Sequence, residues 1–280
     1  MKIKKLILPA LILLIIFITA MAFPKASPVF KSEGTDLVIL MYHSVLKDPS
    51  RTGKYVITPQ RFEEDIIYLK ENGYSFVSAK QVVQYVYADA TLPKKPVLLT
   101  FDDGMYNNLE YILPLLEKHD AYAVFSVVGS YTDEYSEKNI TNPAYSYLRW
   151  CDIKALSESG RVEFANHSYN FHSTTGPRYG SAKMKGESDL EYIENFHSDT
   201  QKLQSEFLSN CNFQPFIYTY PFGSVSREST RTLHKMGFLM TLSCTEGLSR
   251  IQKGEDCLYL LKRFNRDGRL STNQFFSKLK

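Results

Sequence analysis

An α/β fold built on a parallel sheet, closed as a barrel or laid out as a doubly wound layer, is predicted by three features of this chain. Short, largely apolar runs such as Leu37–Met41 and Val97–Phe101 have the pattern of strands buried on both faces. Segments with helical spacing and cap signals fall between those runs. Polar residues able to carry chemistry gather directly after the runs, at the carboxyl ends of strands, where both architectures place their ligands.

The elements follow in order. After the first strand, Thr58 and Pro59 read as an N-cap and first helical residue, opening a helix that runs to Asn72 and is closed by Gly73, with Phe62, Ile66 and Leu69 on its inner face. Ser78 caps a second helix carrying Val82, Val83 and Val86. Val97–Phe101 is the next strand, and Tyr111 to Leu116 lies on one helix after it. Ala123–Val128 is strand-like, Asp152–Ser159 is helical and stops at Gly160, and Val162–Ala165 is a short strand leading into Asn166-His167. A long helix is expected from about Glu187 to Leu208, with Leu190, Ile193, Phe196, Leu203 and Phe207 on one stripe. Phe216–Tyr220, Ser226–Met236 and Phe238–Leu242 read as strand, helix and strand, and Leu258–Phe264 closes the series.

Composition bounds the function. In 280 residues, 44% are hydrophobic and 22% charged, enough apolar material for a sizeable core and too little charge for a disordered chain. Lys and Arg number 33 against 30 Asp and Glu, and a net charge of +3 argues against a nucleic-acid binder. The 19 Tyr and 18 Phe offer flat apolar faces suited to sugars, although a core uses them equally well.

The N-terminus points to export. Lys2, Lys4 and Lys5 precede 18 residues without charge, Leu6 to Phe23. As a helix these would span about 27 Å, close to the roughly 30 Å of a bilayer core. Ala20-Met21-Ala22 also has the small-x-small pattern of a signal-peptidase site, so residues 1–23 read as a cleaved signal or a membrane anchor. Residues 24–35 read as a linker and 36–280 as one domain, expected to be a monomer that is secreted or held on the outer face of the cytoplasmic membrane. Cys151, Cys211, Cys244 and Cys257 contain no Cys-x-x-Cys pair; outside the cell they could pair in three ways or remain free thiols.

Four polar motifs sit at strand ends. Thr100-Phe101-Asp102-Asp103-Gly104 places two carboxylates after a buried strand, and Asn166-His167-Ser168-Tyr169-Asn170-Phe171-His172 places two imidazoles after another. One carboxylate with two neutral imidazoles makes an open metal site with positions left for water and substrate. A further carboxylate beside it can act as base. Tyr218-Thr219-Tyr220-Pro221-Phe222-Gly223 can wall a groove and offer a backbone N–H to an oxyanion, and Met41-Tyr42-His43-Ser44 ends the first strand. Taken singly, each motif also reads as an ordinary turn or a structural histidine.

Taken together and in this order, they resemble the polysaccharide deacetylase family, carbohydrate esterase family four, over about Val38 to Phe264. The resemblance implies a distorted (β/α) barrel with fewer than eight repeats. It implies Asp102 as general base, Asp103, His167 and His172 as ligands of a divalent metal, and Tyr220, Pro221 and Phe222 as the substrate wall, with the Phe222 N–H on the oxyanion. Zinc is the first expectation, with cobalt, nickel or iron as alternatives. Two departures stand out. Many members carry an Arg two residues before the Pro of the third motif, where this chain has Thr219, and the usual late Leu-x-His is absent, since Leu261-Lys262-Arg263-Phe264 contains no His. The early Met41-Tyr42-His43 and the five-residue histidine spacing resemble the branch of exported poly-N-acetylglucosamine deacetylases, which implies His43 as the general acid. His119, His197 and His234 fall in or beside helices, away from the strand ends.

The expected activity is metal-dependent removal of acetyl groups from N-acetylhexosamine in a cell-envelope or extracellular polysaccharide. A catalytically silent carbohydrate-binding protein is the alternative. A glycosidase is disfavoured, because its two carboxylates must flank a bond at about 5 Å or more, which adjacent residues do poorly.

Overall fold

The computed structural model describes residues 34–279, so the hydrophobic segment expected at 1–23 and most of the linker lie outside the described residues. Among the described residues no helix is long and apolar enough to cross a membrane. The strands are β1 (Thr35–Tyr42), β2 (Ser44–Val45), β3 (Val56–Ile57), β4 (Ser75–Phe76), β5 (Pro96–Phe101), β6 (Ala123–Val127), β7 (Val162–Asn166), β8 (Ile217–Thr219), β9 (Met240–Leu242), β10 (Ser249–Ile251) and β11 (Phe264–Asn265). The helices are α1 (Pro59–Glu71), α2 (Ala79–Tyr87), α3 (Tyr106–Tyr111), α4 (Leu113–Lys118), α5 (Gly129–Lys138), α6 (Trp150–Glu158), α7 (Asp189–Cys211), α8 (Arg227–Lys235) and α9 (Thr272–Phe276).

The main sheet runs β10-β1-β5-β6-β7-β8-β9. Its pairs from β1 to β9 are parallel, and β10 alone is antiparallel to β1. The sheet curls toward closure because Leu261 bridges Leu242 of β9 while β11 pairs with Leu40 and Met41 of β1. Alternate residues of each strand enter different apolar clusters, as the two-residue period requires. Val97, Leu99 and Phe101 join Leu40, Phe62 and Phe125 on the outer, helix-covered side. Leu37, Ile39, Leu98, Val124, Ala165, Ile217 and Met240 fill the inside of the curl. Continuing that alternation past the apolar layer places Thr100 and Asp102, Ser126, His167 and Thr219 on the inner side, so the polar groups cap a closed apolar plug.

Local signals behave as their chemistry dictates. Thr58 Oγ1 accepts the Arg61 N–H at 3.2 Å to cap α1. Ser78 and Gln81 form a reciprocal capping box on α2, and Ser188 and Glu191 do the same on α7.

Three expectations need correction. The stripe assigned to the long helix is rotated: Leu190 is 80% exposed and Ile193 lies at the surface, while Tyr192, Phe196, Thr200, Leu203, Phe207 and Cys211 form the buried face. A buried Thr and Tyr belong to this face, so an apolar-only pattern misplaced it. Leu258–Phe264 is not one strand, because Leu260 takes a left-handed φ of 57° that breaks the extension before Leu261. The single helix expected across Tyr111–Leu116 is two, with the break at Ile112 and Pro114 in the first turn of the second. The four cysteines are free thiols, with Cys151 and Cys244 exposed and Cys211 buried.

Candidate metal and catalytic centre

The carboxyl ends of β1, β5, β7 and β8 deliver His43, Asp102 with Asp103, His167 with His172, and Phe222 to one cavity of about 560 Å³. The two adjacent carboxylates are sent apart by the backbone. Asp102 still follows the strand, its N–H donating to Tyr42 O at 2.9 Å. Asp103 and Gly104 then adopt φ of 74° and 69°, a left-handed turn in which a Cβ on residue 104 would also press on Val127 at 3.4 Å. The chain reverses there, and Asp103 faces the histidines while Asp102 faces inward.

Asp103, His167 and His172 each present one ligand atom, and all of these lie within 4.8 Å of one another. Asp103 Oδ1 stands 3.2 Å from His172 Nε2 and 3.7 Å from His167 Nε2. His167 Nδ1 is 2.7 Å from Thr219 O, and since a carbonyl can only accept, Nδ1 carries the proton and Nε2 presents its lone pair to the centre. This donor set suits a divalent ion, with one anionic oxygen, two imidazole nitrogens and open space toward the cavity. Burial pushes the Asp103 carboxyl up, but the surrounding imidazoles of His167, His172 and His43 outweigh it and hold the group well below the ordinary carboxylate range.

The histidine loop is built around polar anchors. Ser168 is left-handed at φ 68° and its N–H donates to Asn166 Oδ1 at 3.0 Å. Asp199 of α7 accepts the Tyr169 and Asn170 N–H groups, both at 2.8 Å. Tyr131 donates its hydroxyl to His172 O at 3.1 Å.

Asp102 is 2% exposed and is gripped by a residue that the sequence did not single out. Arg263, fully buried, donates from Nη1 to Oδ1 and from Nη2 to Oδ2, both at 2.8 Å. Its Nε donates to Ser243 O at 2.8 Å and Nη1 also reaches Thr100 Oγ1 at 3.1 Å. Burial raises the Asp102 pKa, and the Arg263 charge and hydrogen bonds more than offset that, leaving the carboxyl below its usual value. The readable signal was an Arg inside the apolar run Leu258–Phe264, because a buried guanidinium demands a carboxylate partner. The Thr219 that stands where an Arg was expected shares a hydroxyl–hydroxyl hydrogen bond with Ser126 at 2.8 Å.

His43 lines the same cavity with its Nδ1 buried and unpartnered, and its ring lies 4.6 Å from that of Tyr55. Burial is the main cause of its lowered pKa, opposed by the charges of Asp103 and Asp102. The expected wall residues divide. Phe222 lines the cavity, left-handed at φ 56°, with its ring 4.4 Å from His172. Tyr220 and Pro221 are buried and do not line it. The Tyr220 ring packs with Tyr218 and its hydroxyl lies 3.2 Å from Ser229 and from Thr230, so it holds α8 rather than a ligand. Alternation at the end of β8 sends Tyr220 away from the side that Thr219 faces, and the left-handed turn at Phe222 then brings its ring back to the cavity.

A sequence profile described as Polysaccharide deacetylase matches residues 89–241. Among curated proteins, a poly-beta-1,6-N-acetyl-D-glucosamine N-deacetylase of Escherichia coli (strain K12) is 25% identical over 76% of this chain, which spans only 34% of that relative. An enzyme of the same name from Staphylococcus aureus (strain N315) is 22% identical over 88% of each chain. Among solved structures, the de-N-acetylase from Aggregatibacter actinomycetemcomitans superposes with a TM-score of 0.71 at 24% identity, covering 87% of this chain and 98% of that one. A Streptococcus pyogenes deacetylase in complex with acetate superposes with a TM-score of 0.69 at 20% identity, over 88% and 99% of the two chains. These superpositions show the fold.

Proposed function

The chain belongs to the polysaccharide deacetylase family, and from that premise we propose that it hydrolyses N-acetyl groups on N-acetylhexosamine residues of an extracellular or cell-envelope polysaccharide. Poly-N-acetylglucosamine is the first candidate, because relatives of this chain are named for acting on it. The observation that carries the reading is the Asp103–His167–His172 donor set with a second, Arg-held carboxylate beside it. Zinc is the first choice of ion, with cobalt, nickel or iron as alternatives. A bound divalent ion supplies Lewis acidity, polarising the amide carbonyl and acidifying water.

The remaining work falls to the chain's own groups. Asp102, kept ionised and aimed by Arg263, takes a proton from the attacking water. The backbone N–H of Phe222 donates to the oxygen that gains charge as the carbon becomes tetrahedral. His43, with an unused buried nitrogen, gives a proton to the departing amine nitrogen as the C–N bond breaks. Acetate and a free amine are the products. Export, through cleavage or anchoring of residues 1–23, belongs to the same proposal, because such a polymer lies outside the cytoplasm.

The test is acetate release from β-1,6-linked N-acetylglucosamine oligomers by metal-stripped protein given defined metals. Release that depends on added metal supports the reading. Oligomer binding without acetate release, unaffected by chelator, replaces it with a silent carbohydrate-binding protein.

A further inference from the structure

Three aromatic side chains at the cavity mouth are exposed: Tyr55 at 46%, Tyr179 at 55% and Phe222 at 38%. Exposed apolar surface concentrated at a polar site marks a binding surface. They form two groups. Tyr55 lies beside His43 on the β1 side of the curl. Phe222 stacks toward His172, with Tyr179 5.5 Å farther out, after β8. Sheet order separates β1 from β8 by β5, β6 and β7, so on a curled sheet the two groups stand across the mouth, with Asp102 and Asp103 following β5 between them.

Both groups are fixed in place. Gly180 approaches the Phe222 turn so closely that a Cβ would lie 2.8 Å from Pro221 O and 3.1 Å from the Phe222 ring, which brings Tyr179 alongside. Ser181 pins that loop, its N–H donating to Ser224 Oγ at 2.8 Å and its hydroxyl to Ser224 O at 2.7 Å. On the other side, Tyr55 O accepts the Ser44 N–H at 3.0 Å and Asn265 Nδ2 donates to Lys54 O at 3.2 Å. Phe222 holds a left-handed conformation unusual for an aromatic residue, the kind of strain retained where a side chain must be presented to a ligand.

The rim carries no surplus of positive charge, since Lys54 and Lys278 share the lining with Glu246 and Asp267. Lys278 pairs with Glu246 at 2.8 Å, Asp267 is held by Arg269, and Lys54 Nζ lies 4.9 Å over one face of the Tyr55 ring. A polyanion finds no excess positive charge here, and an uncharged chain meets no penalty.

We propose that Tyr55 and the Tyr179–Phe222 pair are two sugar-stacking platforms that grip an uncharged N-acetylhexosamine polymer on both sides of the residue undergoing reaction. This rests on the deacetylase reading and adds to it that the preferred substrate is an internal unit of a chain. The apolar C–H face of a pyranose covers the tyrosine ring while the phenol tip stays wet.

The experiment compares kcat/KM on β-1,6-linked N-acetylglucosamine dimer and hexamer. The wild type should favour the hexamer. Tyr55→Ala and Tyr179→Ala should each cut the hexamer-to-dimer ratio by roughly ten-fold, equivalent to about 1.4 kcal/mol. Tyr55→Phe and Tyr179→Phe should preserve the ratio, as should Tyr87→Ala, an equally exposed tyrosine outside the cavity. An unchanged ratio in both alanine variants, or an equal loss on dimer and hexamer, overturns the platforms. If wild type releases no acetate from any oligomer, the deacetylase reading fails on its own. Calorimetric titration with the same hexamer then decides the platforms: affinity lost in both alanine variants retains them, and equal affinity removes them.

Discussion

Two buried arginine–aspartate pairs stand three residues apart on the closing segment of the sheet, and they serve different ends. Arg263 forks onto Asp102 at the cavity, while Arg266 forks onto Asp65 of α1, with Nε–Oδ2 at 2.7 Å and Nη2–Oδ1 at 3.0 Å. None of the four residues is more than 2% exposed. Each pair also has a companion at the end of β1: Tyr42 donates its hydroxyl to Asp65 at 3.2 Å, and the next residue, His43, faces the cavity that Asp102 lines. Asp65 further accepts from Thr272 Oγ1 at 2.7 Å, and Arg266 Nη1 donates to Leu270 O at 3.0 Å, so this pair ties α9 to α1. Burial pushes Asp65 up further than Arg266, Thr272 and Tyr42 pull it back, whereas Arg263 wins at Asp102. The chemistry of the fork is the same in both. What differs is that Asp102 is left one face toward open space, and a buried charge with an open face can act on a ligand.

The largest expected effect tests that distinction on rate. Asp102→Asn should lower acetate release by on the order of 10³-fold or more, as loss of a general base does, while metal content by elemental analysis stays at wild-type level. Asp65→Asn should leave kcat of the folded fraction near wild type and lower the melting temperature instead. Equal kcat losses in the two variants would erase the comparison.

The second effect is on stability. Arg266→Ala leaves Asp65 buried without its cation and should cost about 3–5 kcal/mol in urea unfolding. Arg263→Ala should cost a similar amount and also depress kcat in the protein that remains folded. A kcat that survives Arg263→Ala would make Arg263 purely structural.

The third is His43→Ala, expected to retain metal and lose about 10²-fold in amide hydrolysis. The loss should shrink on an activated aryl acetate, whose leaving group needs little protonation. Tyr42→Phe, one residue earlier, should cost about 1–2 kcal/mol of stability and no rate. The contrast between these neighbours is the finest test of the two halves.

The same comparison shows what was legible beforehand. Strands β1, β5 and β6 and helices α1 and α2 were readable because apolar runs and cap residues act locally, and Thr58, Ser78 and Gly73 fulfil those roles. The gathering of Asp103, His167 and His172 into one cluster able to hold a metal ion was readable because all three lie in motifs at strand ends. The pairing of Arg263 with Asp102 was not: an arginine inside an apolar run signals that it needs a carboxylate, but this one lies 161 residues away and only closure of the sheet brings the two together. Antiparallel β10 and the short α9 were missed for the same reason, since they owe their form to β1 and to the Asp65–Arg266 tie. Tyr220 was misplaced because a motif names residues without saying which side of the strand each one faces.

The smallest effect concerns a half-buried carboxylate that has no arginine fork. Asp199 anchors the histidine loop through two backbone N–H groups, and burial, the largest influence, lifts its pKa to about 6 against those N–H donors and the charges of Arg178 and Lys202. The unfolded chain releases this proton near the ordinary value of 3.8, so the folded protein is the tighter proton binder between the two. Its contribution to stability is therefore fully present below pH 3.8 and is lost as pH rises through about 6. The loss is on the order of 2–3 kcal/mol for a shift of this size. Asp199→Asn removes the ionisation and keeps one acceptor. Unfolding of metal-free wild type and variant, followed from pH 4 to pH 8, should show the stability difference moving in favour of the variant by about that amount. A parallel pair of curves would mean that the two N–H donors hold Asp199 as effectively as a guanidinium holds Asp102, and the arginine would lose its claim to set the two pairs apart.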